Sequence, residues 1–302
     1  MLKNFDMVIE RVKLNKIKKI AVAVAQDEPV LEAIRDAKKA GIADAILIGD
    51  RKLIEECAKN IELDLEGFEI IQESDNAKAA LMAVELVRSK KADMVMKGLL
   101  DTATFLKAIL NKEKGLRTNR VLSHVAIFEI PGLHRLLLVT DAAMNIAPDL
   151  MTKKQILENA VEVAKAIGIE IPKVAVVCAV EVVNVLMQPT LDGAALSKMC
   201  DRGQIKGCIV DGPLALDNAI SEEAAYHKGI VSPVAGHADI ILVPNIETGN
   251  VMYKTLTYTS NSKCGAILTG AAAPVILTSR ADSHESKLYS IALASIIAGG
   301  VV

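Results

Sequence analysis

Pro274-Val275-Ile276-Leu277-Thr278-Ser279-Arg280-Ala281-Asp282-Ser283-His284-Glu285 is the stretch on which the fold turns. Its first four residues are apolar and open on a proline. They read as a short buried strand whose first position tolerates the missing N–H. From Leu288 to Gly299-Gly300 the chain is almost wholly apolar, which reads as a buried helix. The polar octet between them is then a strand-to-helix turn. Asp282 with Glu285 three residues on has the spacing of a capping box. Such a helix N-terminus presents unpaired N–H groups and a partial positive charge, so it attracts anions. Arg280 adds a planar, permanently charged fork suited to phosphate. On this stretch alone, a helix cap beside a surface arginine explains the residues as well.

The same unit recurs outward from there. Ile20-Ala21-Val22-Ala23-Val24 reads as a buried strand, and Asp27 caps a helix with Pro29 in its first turn. Leu31, Ile34 and Ala37 give that helix one apolar face, and Gly41 stops it. Ala45 to Ile48 is a second strand, and Gly49-Asp50 turns into another helix. Phe68 to Ile71 is a strand, followed by a helix capped by Asp75 and running through Val87. Asp93 to Met96 is a strand ending at Lys97-Gly98. Thr102 to Leu110 is helical, and a basic loop follows with Lys112, Lys114, Arg117 and Arg120. This alternation predicts an α/β chain with a parallel sheet. Val125 to Phe128 and Leu136 to Val139 flank Pro131-Gly132 and read as neighbouring strands, antiparallel if that dipeptide is their turn. The change of texture places a domain boundary near Ile127. Beyond it come a helix from Thr152 to Ile167, a strand from Val174 to Cys178 and a helix from Thr190 to Met199. Gly207 to Val210 is a strand ending at Asp211-Gly212-Pro213. Ile240 to Val243 is a strand ending at Pro244-Asn245, with Thr248-Gly249-Asn250 as a turn before a helix from Val251.

Composition narrows the classes. A chain of 302 residues, 51% hydrophobic, has ample core and commonly makes two domains. Lys plus Arg is 35 against 37 Asp plus Glu, and the net charge of −2 leaves no footprint for nucleic acid or an anionic membrane. Cys57, Cys178, Cys200, Cys208 and Cys264 are scattered without a Cys-x-x-Cys pair, which predicts reduced thiols and a cytoplasmic protein. Met1 to Lys19 is charged and lacks an apolar export core, so no signal peptide is expected. The turn Ala25-Gln26-Asp27-Glu28 carries no glycine-rich dinucleotide loop, and no Walker-type loop occurs.

Lys97-Gly98, Asp141, Asp211-Gly212, Asn245 and Ser279-Arg280 each follow the carboxyl end of an expected strand, the edge at which open α/β sheets bind ligands. Gly, Asp and Asn favour such turns for purely structural reasons. Two of the five turns also carry a cation, and cations are not turn formers. His124 sits among strand residues as a core or rim histidine. His134, His227 and His237 lack metal-ligand spacing. Asp141 and Asp211 are read as turn caps rather than metal ligands.

Taken in order, several segments resemble the phosphate acetyl/butyryl transferase family. They are Met96-Lys97-Gly98-Leu99-Leu100 with Leu106-Lys107; Thr140-Asp141-Ala142-Ala143-Met144-Asn145; Asp211-Gly212-Pro213-Leu214; Pro244-Asn245 through Thr248-Gly249-Asn250 with Tyr253-Lys254; Gly270; and Leu277 through Ser283. The forms at Lys97, Asp141 and Ser279 look closest to its butyryl branch. The resemblance implies a two-domain fold like that of isocitrate and isopropylmalate dehydrogenases, with an active-site cleft between domains. Residues 1–127 with 266–302 would form the first domain. Residues 128–265 would form the second, through which a homodimer or higher assembly is built. It implies the reaction butyryl-CoA plus phosphate giving butyryl phosphate plus coenzyme A, with no metal or redox cofactor.

In the acetyl members a Ser-Arg pair matching Ser279-Arg280 lies at the active site, and an Asp seven residues after the Ser acts as base. Here that position is Ser286, and Asp282, His284 and Glu285 are the nearby replacements. The resemblance thus makes Ser279, Arg280, Asp282 and Glu285 the catalytic candidates. The substrate-binding candidates are Lys97, Gly98, Lys107, Arg120, Asp141, Asn145, Asp211, Asn245, Thr248, Gly249, Asn250, Lys254 and Gly270. Arg280 and the following helix N-terminus suit phosphate. Ser279 could donate to the carbonyl oxygen or the thiol. The basic loop ending at Arg120 could meet the phosphates of coenzyme A, although a solvated loop explains each of its residues singly. The alternatives are a phosphate acetyltransferase, a metal- and NAD(P)-dependent dehydrogenase of the same fold, and a non-catalytic binder.

Overall fold

The computed structural model describes residues 2–279 and 282–300. The chain begins with α1 (Phe5–Lys13), β1 (Lys18–Ala23), α2 (Glu28–Lys39), β2 (Ala43–Gly49), α3 (Arg51–Asn60), β3 (Glu69–Gln72), α4 (Asn76–Arg88), β4 (Met94–Lys97) and α5 (Thr102–Ile109). Aspartates start four of these helices. Asp27, Asp50, Asp75 and Asp101 accept N–H groups of Val30, Lys52 with Leu53, Lys78 and Thr104, satisfying donors that have no partner within the helix. Gly41 ends the α2 segment at φ +70°, and the Ile42 N–H returns to the Ala37 carbonyl at 2.9 Å.

The middle of the chain forms β5 (Ser123–Glu129), β6 (Leu136–Thr140), α6 (Leu150–Ala166), β7 (Lys173–Val177), α7 (Gln188–Asp201), β8 (Ile209–Leu214), α8 (Leu216–Ile220), α9 (Glu222–His227), β9 (Ile240–Leu242) and α10 (Ile246–Thr259). It closes with β10 (Lys263–Thr269), β11 (Val275–Ile276) and α11 (His284–Ala298).

Two compact units result, one of residues 5–120 and 265–302, the other of residues 1–4 and 121–264. In the first, the strands lie in the order β3-β2-β1-β4-β11-β10, parallel throughout except for the β10–β11 pair. Ile20 to Ala23 and Met94 to Met96 are fully buried, as expected of parallel strands covered on both faces. In the second, the order is β5-β6-β9-β7-β8, with β5 and β6 antiparallel across the Pro131-Gly132 turn and the rest parallel.

Several elements depart from the sequence reading. The boundary falls between Arg120 and Val121 rather than near Ile127, because β5 pairs along its length with β6. Helix α1 was not expected in the charged N-terminus, yet Phe5, Val8 and Val12 give it one buried face. Asp211-Gly212-Pro213 does not follow a strand but lies within β8. The register with β7 shifts between Ala175↔Asp211 and Val177↔Leu214, and this carries the pairing on. Thr248-Gly249-Asn250 is not a turn before a helix. Asn245 caps α10, which puts these residues in its first two turns. The cap of α11 is Ser283, not Asp282, and the Asp282–Glu285 capping box is not formed.

Candidate functional site

In the unit of residues 5–120 and 265–302, β1, β4 and β11 run parallel, with Ala23 opposite Lys97 and Met96 opposite Ile276. Their carboxyl ends therefore lie along one edge. That edge gathers residues 24–27 after β1, residues 98–101 after β4, and Thr278, Ser279, Asp282 and Ser283 after β11. The Gly98 and Leu99 N–H groups donate to the Ala23 and Val24 carbonyls, both at 2.8 Å. Gly98 is required here, since a Cβ would overlap the Val24 carbonyl oxygen. Lys97 is buried, and its ammonium donates to the carbonyls of Gly98 (3.2 Å) and Leu100 (3.0 Å). It thus shapes its own turn.

At β11 the exposed Ser279 and the half-buried Asp282 bond reciprocally. The Ser279 N–H donates to Asp282 Oδ2 at 2.7 Å, and the Asp282 N–H to the Ser279 carbonyl at 3.2 Å. Arg280 lies outside the described residues. Ser283 Oγ accepts the Ser286 N–H at 3.2 Å, so the serine seven beyond Ser279 sits in the first turn of α11. Glu285 is exposed in that same turn.

One residue of this edge escaped the sequence reading. Lys287 is only 3% exposed, and its ammonium donates to the carbonyls of Asp282 (2.5 Å) and Ser279 (3.4 Å). Burial pushes its pKa down, against the pull of Asp282 and Asp27. The available signal was a lone lysine immediately before the apolar run that begins at Leu288.

In the other unit, β6 and β9 run parallel and bring Thr140 opposite Leu242. Asp141 is buried and serves its own loop. Oδ1 accepts the N–H groups of Ala143 (2.9 Å) and Met144 (3.0 Å), and Oδ2 accepts the backbone N–H (3.2 Å) and side-chain amide (2.6 Å) of Asn145. The Asn145 amide also donates to the Leu122 carbonyl at 2.9 Å. The start of α10 packs onto this loop. Asn245 Oδ1 accepts the Thr248 N–H at 3.0 Å and its hydroxyl at 2.7 Å. A Cβ on Gly249 would stand 2.6 Å from the Asp141 carbonyl oxygen, so only glycine lets the helix approach. The Asn250 amide reaches the Ala142 carbonyl at 3.5 Å. Asp141, Asn145, Asn245, Thr248, Gly249 and Asn250 thus form one assembly whose helix N-terminus suits an anion.

The remaining candidates are dispersed. Asp211 Oδ1 accepts the N–H of its neighbour Gly212 at 2.8 Å, away from the α10 assembly in the strand order. Lys254 lies on α10 with its ammonium 5.7 Å and 5.5 Å from the ring centres of Tyr253 and Tyr258. Tyr253 in turn packs edge-on against Phe128 and His124, which places His124 in the core. Lys107 is exposed on α5. In the basic loop, the Thr118 hydroxyl donates to the Gly270 carbonyl at 2.5 Å and accepts the Arg120 N–H at 3.0 Å. Gly270 itself has φ +91°.

All five cysteines are free thiols. Burial pushes Cys178 up to about 11 and Cys208 up to about 12, so neither is a ready nucleophile. Among the described residues, no three His, Cys, Asp or Glu side chains cluster as metal ligands, and no helix is long and apolar enough to cross a membrane.

A family model described as "Phosphate acetyl/butaryl transferase" matches residues 4–79 and 73–295. A phosphate butyryltransferase of Clostridium acetobutylicum is 64% identical over 299 residues, which cover 99% of each chain. A branched-chain phosphotransacylase of Enterococcus faecalis superposes with a TM-score of 0.81 at 36% identity, covering 93% of this chain and 99% of that one. A 4-hydroxythreonine-4-phosphate dehydrogenase of Klebsiella pneumoniae shares the fold alone, with a TM-score of 0.56 at 14% identity over 93% of this chain and 99% of that one.

Proposed function

This chain belongs to the phosphate acetyl/butyryl transferase family, and on that premise we propose that it is an acyltransferase converting butyryl-CoA and phosphate to butyryl phosphate and coenzyme A. The observation that carries the reading is the near-complete coverage, at high identity, by a butyryltransferase. The two strand edges, each with a helix N-terminus and buried or capping polar groups, are consistent with anionic substrates.

The reaction transfers the butyryl group directly within a ternary complex. A phosphate oxygen attacks the thioester carbonyl carbon, a tetrahedral oxyanion forms, and the carbon–sulfur bond breaks to release the thiolate. The protein must position two anions and stabilise charge as it develops. Arg280 holds phosphate oxygens in this reading. Ser279 donates its hydroxyl to the carbonyl oxygen or the departing sulfur. The thiol of coenzyme A titrates near ~8.5, so a modest base suffices in the reverse direction. Asp282 and Glu285 are its candidates. The α10 N-terminus with Thr248, Gly249 and Asn250 receives phosphate oxygens. Lys97, Gly98, Lys107, Arg120, Asp141, Asn145, Asp211, Asn245, Lys254 and Gly270 shape or line the substrate sites.

The same reading takes the fold to be of the isocitrate dehydrogenase type, the assembly to be a homodimer or larger, and the location to be the cytoplasm. It calls for no metal or redox cofactor. Incubation of butyryl-CoA with phosphate and a chelator should release free thiol, and release unaffected by omitting phosphate would reject the reading. Acetyl transfer is the second reading. One methylene in an aliphatic pocket is worth only ~1–3 kcal/mol, so three- and five-carbon substrates should also react. A larger kcat/KM for acetyl-CoA than for butyryl-CoA would favour the acetyl reading.

A further inference from the structure

Three lysines are buried among the described residues: Lys97, Lys153 and Lys287. Lys153 forms an ion pair with the equally buried Asp192 at 2.6 Å. Lys287 does something else. It stands in the first turn of α11, where the residues that follow it toward the core are Ser290, Ile291, Ala292, Leu293, Ala294, Ser295 and Ile296. Burying an ammonium is costly, and a methionine would fill the same space without that cost. Among the described residues no carboxylate forms an ion pair with it. Its hydrogen atoms go instead to two main-chain carbonyls of one short turn, those of Ser279 and Asp282.

We propose that Lys287 is a positioning residue for acyl transfer: its ammonium clamps the Ser279 and Asp282 carbonyls and so aims the Ser279 hydroxyl at the reacting centre. The inference rests on the acyltransferase reading. Three observations support it. Ser279 and Asp282 are tied to each other by reciprocal bonds, and both of their carbonyls accept from Lys287. The Lys287 N–H also donates to the Ser283 carbonyl at 3.1 Å, so the clamp is built into the first turn of α11. The turn itself lies on the edge shared with Lys97 and Gly98, since β11 is parallel to β4. The charged groups acting on the ammonium are Asp282 in the turn and Asp27 at the start of α2, both favouring its protonated form against burial.

A fold role and a positioning role separate in a double-mutant cycle. Lys287→Met should fold, keep KM for butyryl-CoA and phosphate within about twofold, and lose tenfold or more in kcat. Ser279→Ala should lose kcat likewise. In the Ser279→Ala background, Lys287→Met should then cost little more, because the group it aims is gone. Lys287→Ala should regain part of its kcat with n-propylammonium, which replaces the missing chain and charge, and not with 1-propanol. The proposal is overturned by a folded Lys287→Met with kcat within twofold of the wild type. It is overturned equally by an undiminished loss in the Ser279→Ala background, or by failure of both Lys287 variants to fold. Wild-type enzyme without phosphate-dependent thiol release would instead reject the acyltransferase reading itself.

Discussion

Asp282 and Ser279 hold each other across the turn after β11, the carboxylate taking the Ser279 N–H at 2.7 Å and the Ser279 carbonyl taking the Asp282 N–H at 3.2 Å. One oxygen of the proposed base is therefore engaged in shaping the turn. Asp282→Asn keeps an acceptor and loses the charge, whereas Asp282→Ala loses both. Stability to urea should fall by about 1–2 kcal/mol in the alanine variant and less in the asparagine variant. If Asp282 also deprotonates the thiol, the asparagine variant should show a flattened rise of rate with pH. A wild-type pH–rate profile in Asp282→Asn removes it from the list of bases.

Ser283, not Glu285, carries the start of α11. Ser283→Ala should cost about 1 kcal/mol, as for a lost helix cap. Glu285→Gln changes an exposed side chain and should alter stability by no more than about 0.5 kcal/mol. Chemical denaturation of the two variants side by side checks both. A change in the pH–rate profile of Glu285→Gln, with stability intact, would identify Glu285 as the base.

Gly249→Ala brings a methyl group against the Asp141 carbonyl oxygen, the Ala142 Cα and Val243. None of these yields easily, since two are backbone, and the cost should be about 1–3 kcal/mol. Thermal melting against the wild type measures it. The displaced α10 N-terminus should also weaken phosphate binding. Full stability in Gly249→Ala would show that the helix can shift without loss.

Lys153 and Asp192 are each about 5% exposed, and the Gln188 amide donates to the second carboxylate oxygen at 2.9 Å. Lys153→Met strands a buried carboxylate and should destabilise by about 3–5 kcal/mol. Replacing both partners, as Lys153→Met with Asp192→Leu, should recover most of that loss. Equal damage in the single and double variants would contradict this account.

Arg280→Ala should lower both kcat and phosphate affinity, by on the order of 2–4 kcal/mol of transition-state stabilisation, while butyryl-CoA affinity changes much less. Arg280→Lys should retain binding better than orientation, because an ammonium is a point charge. Steady-state kinetics with the two substrates varied independently would reveal this. Near wild-type kinetics in a folded Arg280→Ala would remove the arginine from the site.

Alternating apolar strands and aspartate-capped helices were legible because their causes are local. Asp27, Asp50 and Asp75 each cap the helix that their sequence position announces. Local signals ran out where two caps compete. Asp282 and Ser283 are adjacent and both fit the start of α11; Ser283 caps it because Asp282 is already bound to Ser279. The run Pro244 to Asn250 failed for a related reason. Gly249 resembles a turn glycine, yet it is helical, and its small size serves contact with the Asp141 loop.

The order of the chain's strands and helices, its acidic caps and the ordered motifs that mark its family are properties of neighbouring residues, and the sequence alone determines them. The use to which buried charge is put is not. Lys287 is a lone cation ahead of an apolar run in the sequence, and only the structure shows its ammonium on the Ser279 and Asp282 carbonyls. Asp141 reads as a turn cap, but that its loop closes on both carboxylate oxygens, with the Asn145 amide on one of them, is visible only in the structure. A charge removed from water must find partners, and only the tertiary structure decides which groups are within reach.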